Sequence, residues 1–358
     1  MRAIVDCTPL LLRSAGVKTY LFHLFSNLRR LHGADVRAFP PFRALGELDL
    51  EGSAVRGFPP KAAIGLVLAA NRLPLPLLDV FARGADLFHT SNIVRNPPRR
   101  TRLTATIHDL TCWIMPELHT AANVAADRDF AERVLRRADR LVAVSESSRA
   151  DAARHLGLDP NRIDAIHHGV DETFFIALPE KRPKPYVLTV GTVEPRKNLP
   201  RLLDAWASIK PSLREQFDLV VAGPEGWESP ATFARLRREA VYLGYIANEQ
   251  LPTLTAGATV FVYPSLYEGF GFPLAQAMAC GVASVTSNVS SMPEVAGGSA
   301  LLVDPRSASE IGAAIERLLT SPSERERLGA IGRARAQKHF RWERCARETW
   351  RLFERACG

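Results

Sequence analysis

The stretch that decides the fold of this chain is Tyr263-Pro-Ser-Leu-Tyr-Glu-Gly-Phe-Gly-Phe-Pro-Leu-Ala-Gln-Ala-Met-Ala-Cys-Gly281. An apolar run over 259–263 predicts a buried strand, and the Gly-x-Gly turn after it lets a backbone approach a ligand closely. Pro273 suits the first turn of a helix, and the almost wholly apolar sequence to about Ala279 predicts that this helix is buried. A strand, a glycine loop and a buried helix in this order are typical of a parallel α/β sheet.

Apolar runs alternate with helical patterns along the rest of the chain, and they fall into two series of similar length. Continuous apolar runs are typical of parallel strands that are buried on both faces, so each series predicts one helix-covered α/β sheet. The predicted strands are 3–6, 36–39, 86–89, 103–108, 141–144 and 163–167 in the first series, and 186–190, 219–222, 241–243, 259–263, 282–286 and 301–303 in the second.

A proline-rich segment, Pro-Glu-Lys-Arg-Pro-Lys-Pro at 179–185, separates the two series. Three prolines exclude a helix interior and a central strand, so the segment predicts a stiff linker. We therefore expect an N-terminal domain over 1–178 and a second domain over 186–337. The remaining residues, 338–358, predict an amphipathic helix that can pack on either domain, including by crossing back to the first.

Composition limits the classes of function. The 358 residues carry 46 basic and 38 acidic side chains, a net charge of +8 without any block of like charge, which argues against nucleic acid as a partner. No apolar run reaches the ~18 residues of a membrane span, and no secretory leader is recognisable, so we expect a cytoplasmic protein. The five cysteines are scattered, which predicts free thiols and no metal site.

Two adjacent cations follow the strand over 186–190, in Gly191-Thr-Val-Glu-Pro-Arg-Lys-Asn-Leu-Pro200. Arg196 and Lys197 precede a predicted helix, where the helix dipole is positive and cations are normally disfavoured. An anion bound between them would explain the pair, because a helix N-terminus with two cations makes a phosphate site. The alternative is a solvated basic pair.

Polar residues in the 263–281 stretch provide further ligand groups. Glu268 lies just before the buried helix, where its carboxylate can accept hydrogen bonds from ligand hydroxyls, and Gly269 and Gly271 allow backbone amides to come close. We expect that Glu268, as a loop residue, is not needed for core packing. Gln276 lies in the apolar helix, where it either serves ligand hydroxyls or satisfies a neighbouring backbone group.

Five segments in the second half occur in a familiar order and resemble the donor-binding domain of GT4 retaining glycosyltransferases: 191–199, 223–226, 243–245, 268–281 and 287–296. The first half is similar more loosely, at 13–20, 107–109 and 144–148. The resemblance implies the GT-B fold, in which two Rossmann-like α/β domains face a central cleft.

The resemblance also implies roles for single positions. Arg196 and Lys197 correspond to the pair that binds the nucleotide pyrophosphate. Glu268 corresponds to the first carboxylate of the E-x7-E motif, which contacts the donor sugar and the transition state. Gln276 stands at the second position of that motif, which holds the ribose hydroxyls, and here an amide replaces the usual carboxylate.

Other positions complete the set of candidate site residues. His108 matches a histidine that reaches the donor sugar near its reactive carbon, so the implied catalytic residues are Glu268, His108, Arg196 and Lys197. The implied donor-binding residues are Gly16, Arg196, Lys197, Tyr245, Ile246, Glu268, Gly269, Phe270, Gly271, Phe272 and Gln276. Asp127-Arg-Asp129 has the form of a metal-binding DxD, but it lies in a predicted helix and is read as a solvated face.

The implied activity is transfer of a hexose from a nucleotide-diphosphate sugar to an acceptor hydroxyl, with no metal and no cofactor. The segment 286–297 and Glu194-Pro-Arg-Lys resemble mannosyltransferases that use GDP-mannose. The implied acceptor is a glycan or a lipid-linked oligosaccharide in bacterial cell-surface polysaccharide synthesis. The alternatives are a nucleotide-sugar epimerase of GT-B fold and a non-catalytic donor-binding accessory subunit.

The sequence also allows a peripheral contact with the inner face of the cytoplasmic membrane. The amphipathic helix predicted over 17–31 could provide such a surface. We favour the other interpretation, in which its apolar face packs into the core.

Overall fold

A computed structural model describes residues 1–11, 16–41, 58–73, 75 and 77–358. Within these ranges the chain forms two compact units. Unit 1 contains Met1–Gly169 and Trp342–Gly358, and unit 2 contains Val170–Arg341. Each unit holds a six-stranded sheet with parallel pairing, flanked by helices, so the predicted α/β class with two Rossmann-like domains is confirmed.

The sheet of unit 1 has the strand order β2-β1-β3-β4-β5-β6. Every strand lies within about two residues of a predicted apolar run, because burial on both faces requires continuous apolar sequence. The strands are β1 Ala3–Asp6, β2 Val36–Phe39, β3 Leu87–Thr90, β4 Arg102–Ile107, β5 Arg140–Ala143 and β6 Ile163–Ala165.

Helices cover the sheet of unit 1. The first of them decides between the two interpretations of the amphipathic helix over 17–31, a surface that contacts the membrane or a face that packs into the core. Tyr20, Leu21, Leu24 and Leu28 are all fully buried, so the apolar face of this helix packs into the core as expected. The helices are α1 Gly16–His32, α2 Phe58–Arg72, α3 Thr111–Ile114, α4 Ala121–Phe130 and α5 Glu146–Leu156.

Unit 2 contains the second predicted series, in the strand order β12-β11-β10-β7-β8-β9. Its strands are β7 Tyr186–Val190, β8 Asp218–Ala222, β9 Val241–Gly244, β10 Val260–Tyr263, β11 Ser284–Ser287 and β12 Ala300–Val303. Its helices are α6 Glu172–Ile176, α7 Leu199–Ser208, α8 Pro211–Gln216, α9 Pro230–Glu239, α10 Leu251–Ala256, α11 Phe272–Ala279, α12 Met292–Ala296, α13 Ala308–Thr320 and α14 Pro322–His339.

The last helix, α15 Trp342–Cys357, belongs to unit 1 although it follows all of unit 2 in the sequence. Its buried stripe includes Trp350 and Phe353. The Trp350 ring stacks on His32 of α1 with 3.8 Å between ring centroids. Arg30 Nη2 also donates to Glu343 Oε2 over 2.6 Å, so α15 is attached to α1 by both apolar and ionic contacts.

The division between the two compact units differs from the predicted domain boundary by several residues. The two units divide between Gly169 and Val170, so 170–178, the proline-rich segment 179–185 and 338–341 all belong to unit 2. Two aromatic side chains of α6, Phe174 and Phe175, are buried in that unit. The proline-rich segment is held there as well, since the Glu180 backbone N–H donates to the Thr253 carbonyl over 3.0 Å.

Two expectations about the whole chain concern its helices and its thiols. Among the described helices, none combines the length and the apolar character that crossing a bilayer requires. All five cysteines are free, as their scattered positions predicted.

The loops after β7 and β8 pack backbone against backbone, and this contact requires glycine. A Cβ on Gly223, whose φ is 145°, would overlap the Gly191 carbonyl. We expect Gly223→Ala to lower the free energy of unfolding by about 3 kcal/mol, through backbone strain and overpacking. In the control Gly65→Ala, the added methyl has no atom within 4 Å, and relief of helix entropy should stabilise α2 by about 0.5–1 kcal/mol. Urea unfolding of both variants measures the difference, and equal midpoints would contradict it.

Candidate functional site

A cluster of four charged side chains lies at the carboxyl ends of β7 and β10, which are hydrogen-bonded neighbours in the sheet of unit 2. Glu194, Arg196 and Lys197 follow β7, and Glu268 follows β10. Each of these side chains is at most 14% exposed. Burial of charge is unfavourable unless the charges are paired, so the cluster marks this edge of the sheet as a candidate functional site.

The carboxylate of Glu268 lies between the two cations. Its Oε2 is 2.6 Å from Arg196 Nη1, and its Oε1 is 2.6 Å from Lys197 Nζ. Arg196 Nη2 is also 2.6 Å from Glu194 Oε1, so two cations and two carboxylates balance. The sequence predicted a ligand phosphate between Arg196 and Lys197, and the structure places the carboxylate of Glu268 between them. The alternative of a solvated basic pair is wrong.

Tyr263, the last residue of β10, completes the cluster and was not among the predicted site residues. Its hydroxyl donates to Glu268 Oε1 over 2.8 Å and accepts from Lys197 Nζ over 2.6 Å. The Lys197 ammonium also lies 5.0 Å from the centroid of the Tyr263 ring. The signal in the sequence was a tyrosine at the end of an otherwise apolar strand, where a hydroxyl reaches the carboxyl edge of the sheet.

Charge pairing sets the protonation states of the cluster. Burial alone would raise the pKa of Glu268, but the charges of Arg196 and Lys197 outweigh burial and hold that pKa to about 2. Burial and the neighbouring Arg196 lower the pKa of Lys197, against the opposing effect of Glu268. At neutral pH Glu268 is therefore ionised and can only accept hydrogen bonds.

The loop that carries the cations is fixed by Asn198, which lies between Lys197 and α7. Asn198 has a left-handed backbone with φ of 61°. Its side-chain Nδ2 donates to the Pro264 carbonyl over 3.0 Å and to the Pro305 carbonyl over 2.6 Å. The predicted position of the cations before a helix is thus confirmed, with Asn198 as the residue that joins this loop to the one after β10.

The loop that carries Glu268 is fixed by two serines. The Glu268 backbone N–H donates to Ser290 Oγ over 3.0 Å, and Ser291 Oγ donates to the Glu268 carbonyl over 2.9 Å. Glu268 itself is only 6% exposed. The expectation that it is unnecessary for packing is therefore wrong, because its removal would leave Arg196 and Lys197 as buried like charges.

The helix after this loop, α11, has the predicted buried character and begins after Gly271, whose φ is 91°. A Cβ on Gly271 would overlap the Met292 side chain, so this turn requires glycine. Gln276 in α11 is half-buried, and its side chain makes no hydrogen bond to another described residue. Its amide is therefore not used as a structural link within the described chain.

Two of the predicted donor-binding residues have aromatic side chains that pack together. Phe270 is buried, with its ring edge-on to Phe340 at 5.4 Å and to Phe272 at 5.7 Å between centroids. Gly269 lies between Phe270 and Glu268 and is buried as well. The side chain of Phe270 is thus part of the core of unit 2, which leaves its backbone as the part that could meet a ligand.

Tyr245 and Ile246 follow β9 at the same carboxyl edge of the sheet. Tyr245 is 56% exposed and Ile246 is half-buried. The Gly223 backbone N–H donates to the Gly244 carbonyl over 2.7 Å, which joins the start of this loop to the loop after β8. The structure thus places the predicted site residues of unit 2 in or directly after the loops at one edge of its sheet, except Gln276, which lies within α11.

The predicted site residues of unit 1 are His108 and Gly16. His108 follows β4, and its Nε2 is hydrogen-bonded to Ser91 Oγ at the end of the neighbouring β3. Its ring lies edge-on to Tyr20 with 5.0 Å between centroids. Burial lowers the pKa of His108 to about 4 against the opposing charge of Asp109, so the imidazole is neutral at pH 7.

Ser91 was missed in the sequence, although its position directly after a predicted strand adjoining that of His108 was a usable signal. Gly16 is the exposed first residue of α1. Residues 13–15 of the segment that suggested its role lie outside the described part of the chain, with only part of 13–20 described.

The two carboxylates of the DxD sequence interact with different side chains. Asp127 is hydrogen-bonded with Cys112, and burial together with Asp109 raises its pKa to about 6. Asp129 pairs instead with Arg133 over 2.7 Å and with Arg95 over 3.6 Å. Asp127 is thus largely buried, which differs from the solvated face expected. In the described ranges no three His, Cys, Asp or Glu residues are grouped as metal ligands.

Comparison with known proteins divides the chain in two, as the structure does. Residues 14–174 match "Glycosyltransferase Family 4", and residues 170–335 match "Glycosyl transferases group 1". The chain is 35% identical over 278 residues to "O-antigen chain mannosyltransferase B" of Escherichia coli, which covers 74% of this chain and 72% of that protein. The chain belongs to the GT4 family of glycosyltransferases.

A second relative of this GT4 protein is the "Serotype-specific mannosyltransferase WbdA" of Escherichia coli, 27% identical over 294 residues. That match covers 75% of this chain and 35% of WbdA, so the chain spans about a third of WbdA. Among solved structures, sucrose-phosphate synthase from Thermosynechococcus elongatus is similar with a TM-score of 0.76 at 20% identity, over 99% of both chains. The predicted GT-B fold is confirmed.

The depressed pKa of Glu268 predicts how stability depends on pH. The folded pKa of about 2 lies below the ordinary glutamate pKa of 4.5, so the stabilisation is present above pH 4.5 and is lost as the pH falls towards 2. The whole shift corresponds to about 3 kcal/mol. We expect urea unfolding to show a stability difference between the parent and Glu268→Gln that is large at pH 5 and smaller at pH 3.

The control for this prediction is Glu225→Gln. Glu225 is exposed and pairs with the exposed Arg237, and such pairs contribute about 0–1 kcal/mol. We expect this variant to follow the parent at both pH values. A Glu268→Gln difference that stays constant between pH 5 and pH 3 would show that Glu268 is not the group that titrates.

Proposed function

We propose that this GT4 protein transfers mannose from GDP-mannose to a hydroxyl of a glycan or lipid-linked acceptor in cell-surface polysaccharide synthesis, with retention of the anomeric configuration. The observation that carries the proposal is the buried cluster of Arg196, Lys197 and Glu268. The names of both relatives reported above support the choice of mannose.

The cluster suits a diphosphate because Lys197 has a donor to spare. Two of the three ammonium hydrogens of Lys197 are used by Tyr263 and Glu268, which leaves one for a phosphate oxygen. Arg196 presents a planar guanidinium that fits phosphate oxygens in pairs. As the diphosphate binds, it shares the cations with Glu268, whose carboxylate then accepts hydrogen bonds from the hydroxyls of the donor sugar.

The same cations would stabilise the leaving group. Negative charge grows on the diphosphate as the glycosidic bond breaks, and donors fixed in a buried site stabilise such charge without reorganising. Arg196 and Lys197 are held in place by Glu194, Glu268 and Tyr263 before any ligand binds. The proposed reaction therefore uses no metal and no other cofactor.

Retention would follow from substitution on one face of the sugar. Glu268 is a poor nucleophile and a poor base, because two cations lower its pKa to about 2. We propose instead that the departing phosphate takes the proton of the incoming hydroxyl. The neutral imidazole of His108, held by Ser91, can hydrogen-bond a hydroxyl of the donor sugar.

We propose the remaining contacts with the donor on the basis of the resemblance to the family. Gly16 would lie near the phosphates, the backbone at Tyr245 and Ile246 would read the base, and Gln276 would hold the ribose. We propose a cytoplasmic location with peripheral contact at the inner face of the membrane, where lipid-linked acceptors are presented.

A panel of nucleotide sugars tests the reaction. With a mannosylated acceptor, we expect release of GDP from GDP-mannose that continues in excess EDTA, and an α- or β-linkage identical to that of the donor by NMR. Glu268→Gln should abolish GDP release, since it removes the carboxylate charge that strengthens the hydrogen bonds from the sugar hydroxyls. Conversion of GDP-mannose without an acceptor would favour the epimerase, and binding without turnover would favour the accessory subunit.

Gln276 provides a separate test of nucleotide binding. The carboxylate in Gln276→Glu can accept hydrogen bonds from both ribose hydroxyls, which favours GDP binding. Burial of its charge and repulsion from the diphosphate weaken GDP binding. We therefore expect an affinity for GDP within about tenfold of that of the parent. Gln276→Leu should bind GDP more weakly than either, because it leaves the diol without a partner. Calorimetry on the three proteins measures this, and unchanged affinity in the leucine variant would show that Gln276 does not hold the ribose.

A further inference from the structure

A cavity of about 650 Å³ lies in unit 1, apart from every residue assigned a role above. It is lined by Thr8, which follows β1 after Cys7, and by Ile93, which follows β3, so it lies at the carboxyl edge of this sheet. Ligands in parallel α/β sheets bind at this edge, and small-molecule sites typically have volumes of about 300–1,000 Å³. The position and the size of the cavity are therefore those of a binding site.

One wall of the cavity is apolar. It is formed by Ile64, Val67 and Leu68 of α2 together with Ile93. Leu68 is 51% exposed, so the apolar wall extends to the surface of unit 1. A wall of this kind favours a hydrocarbon portion of a ligand, because burial of apolar surface is favourable.

The polar part of the lining carries surplus positive charge. Arg95 and Arg133 share one partner, Asp129, at 3.6 Å and 2.7 Å. Arg72 is exposed and forms no ion pair with a described residue. Three guanidinium groups against one carboxylate leave a formal surplus of two positive charges, which complements an anion with two negative charges.

Two lining residues also have polar atoms that the protein does not satisfy. Thr8 Oγ1 and Arg95 Nε are buried, and neither has a hydrogen-bond partner among the described residues. A buried polar atom without a partner is unfavourable, so such atoms usually have one. The protein thus leaves part of the polar lining of the cavity unsatisfied.

We propose that this cavity binds an amphiphilic phosphate, in which a phosphate or diphosphate group is joined to a hydrocarbon chain. The arginines bind the anionic group, and the α2 wall with Ile93 takes the first part of the chain. A free glycan would leave the apolar wall uncovered, and inorganic phosphate would leave it uncovered as well. This inference rests on the proposed function in one respect, because it assigns the cavity to the lipid carrier of a glycosyl acceptor.

Calorimetry with octyl phosphate below its critical micelle concentration tests the proposal on the full chain. We expect saturable binding of one molecule, about tenfold or more tighter than that of inorganic phosphate or of octyl glucoside, since only octyl phosphate has both parts. If inorganic phosphate binds as tightly as octyl phosphate, the cavity is a simple anion site. If octyl glucoside binds as tightly as octyl phosphate, the arginines do not contribute to binding. Either result overturns the proposal, as does no binding.

Two variants locate the site, and each has a matched control. Arg72→Gln and Leu68→Glu change exposed side chains, so both should fold, and each should weaken octyl phosphate binding by about tenfold. The controls Arg100→Gln and Val80→Glu make the same changes at side chains that are 90% and 60% exposed and lie outside the lining, so they should bind as the parent does. Equal weakening in variants and controls would place the binding elsewhere.

The same preparations separate this inference from the proposed function. GDP release from GDP-mannose with a lipid-free mannosylated acceptor depends on Glu268 and not on the cavity. If release occurs while octyl phosphate does not bind, the inference about the cavity is wrong and the proposed function stands. If octyl phosphate binds as expected while no nucleotide sugar is turned over, the cavity stands as an amphiphile site and the proposed function is wrong.

Discussion

The interaction on which the rest of the site depends is the carboxylate of Glu268 held between Arg196 and Lys197. Two like charges a few ångströms apart in a buried position would repel each other strongly. The carboxylate makes their burial possible, and it does so only if the loops after β7 and β10 keep their relative positions. Asn198 supplies that restraint by bonding to backbone carbonyls beyond its own loop.

Burial of this balanced cluster also determines how it can respond to a ligand. In water, a basic pair on the surface would be screened by salt and would bind a diphosphate weakly. Here the cations are largely removed from solvent, so the lower dielectric would strengthen each interaction with a phosphate oxygen in the proposed function. The neutral balance of charge stabilises the buried cluster, and the proposed diphosphate would compete with a carboxylate that is already in place.

The sequence predicts the fold of this chain well, because buried parallel strands leave continuous apolar runs and both sheets lie where those runs fall. It also places Arg196, Lys197 and Glu268 correctly in loops at the ends of strands. It does not predict that Glu268 is buried, since exposure of a loop residue depends on segments distant in sequence. Tyr263 and Ser91 stand at strand ends that the sequence does indicate, but their hydrogen-bond partners are identified only once the strands are paired.

The predicted domain boundary differs from the division between the two units for a different reason. Three prolines in 179–185 indicate a stiff backbone, but stiffness does not say which unit a segment packs against. Hydrogen bonding of Glu180 to Thr253 and burial of Phe174 decide that question, and both depend on tertiary contacts. The destination of α15 was left open in the sequence because an amphipathic stripe shows that a helix is buried without showing where.

The return of α15 to unit 1 has a consequence for how the chain acquires its structure during synthesis. Unit 2 is continuous in sequence, so it can fold as soon as Arg341 has left the ribosome. Unit 1 is interrupted, and its first 169 residues must wait for the whole of unit 2 before Trp350 and Phe353 arrive to complete their core. On a translating ribosome the N-terminal half of this protein would therefore be the last to mature, although it is the first to emerge.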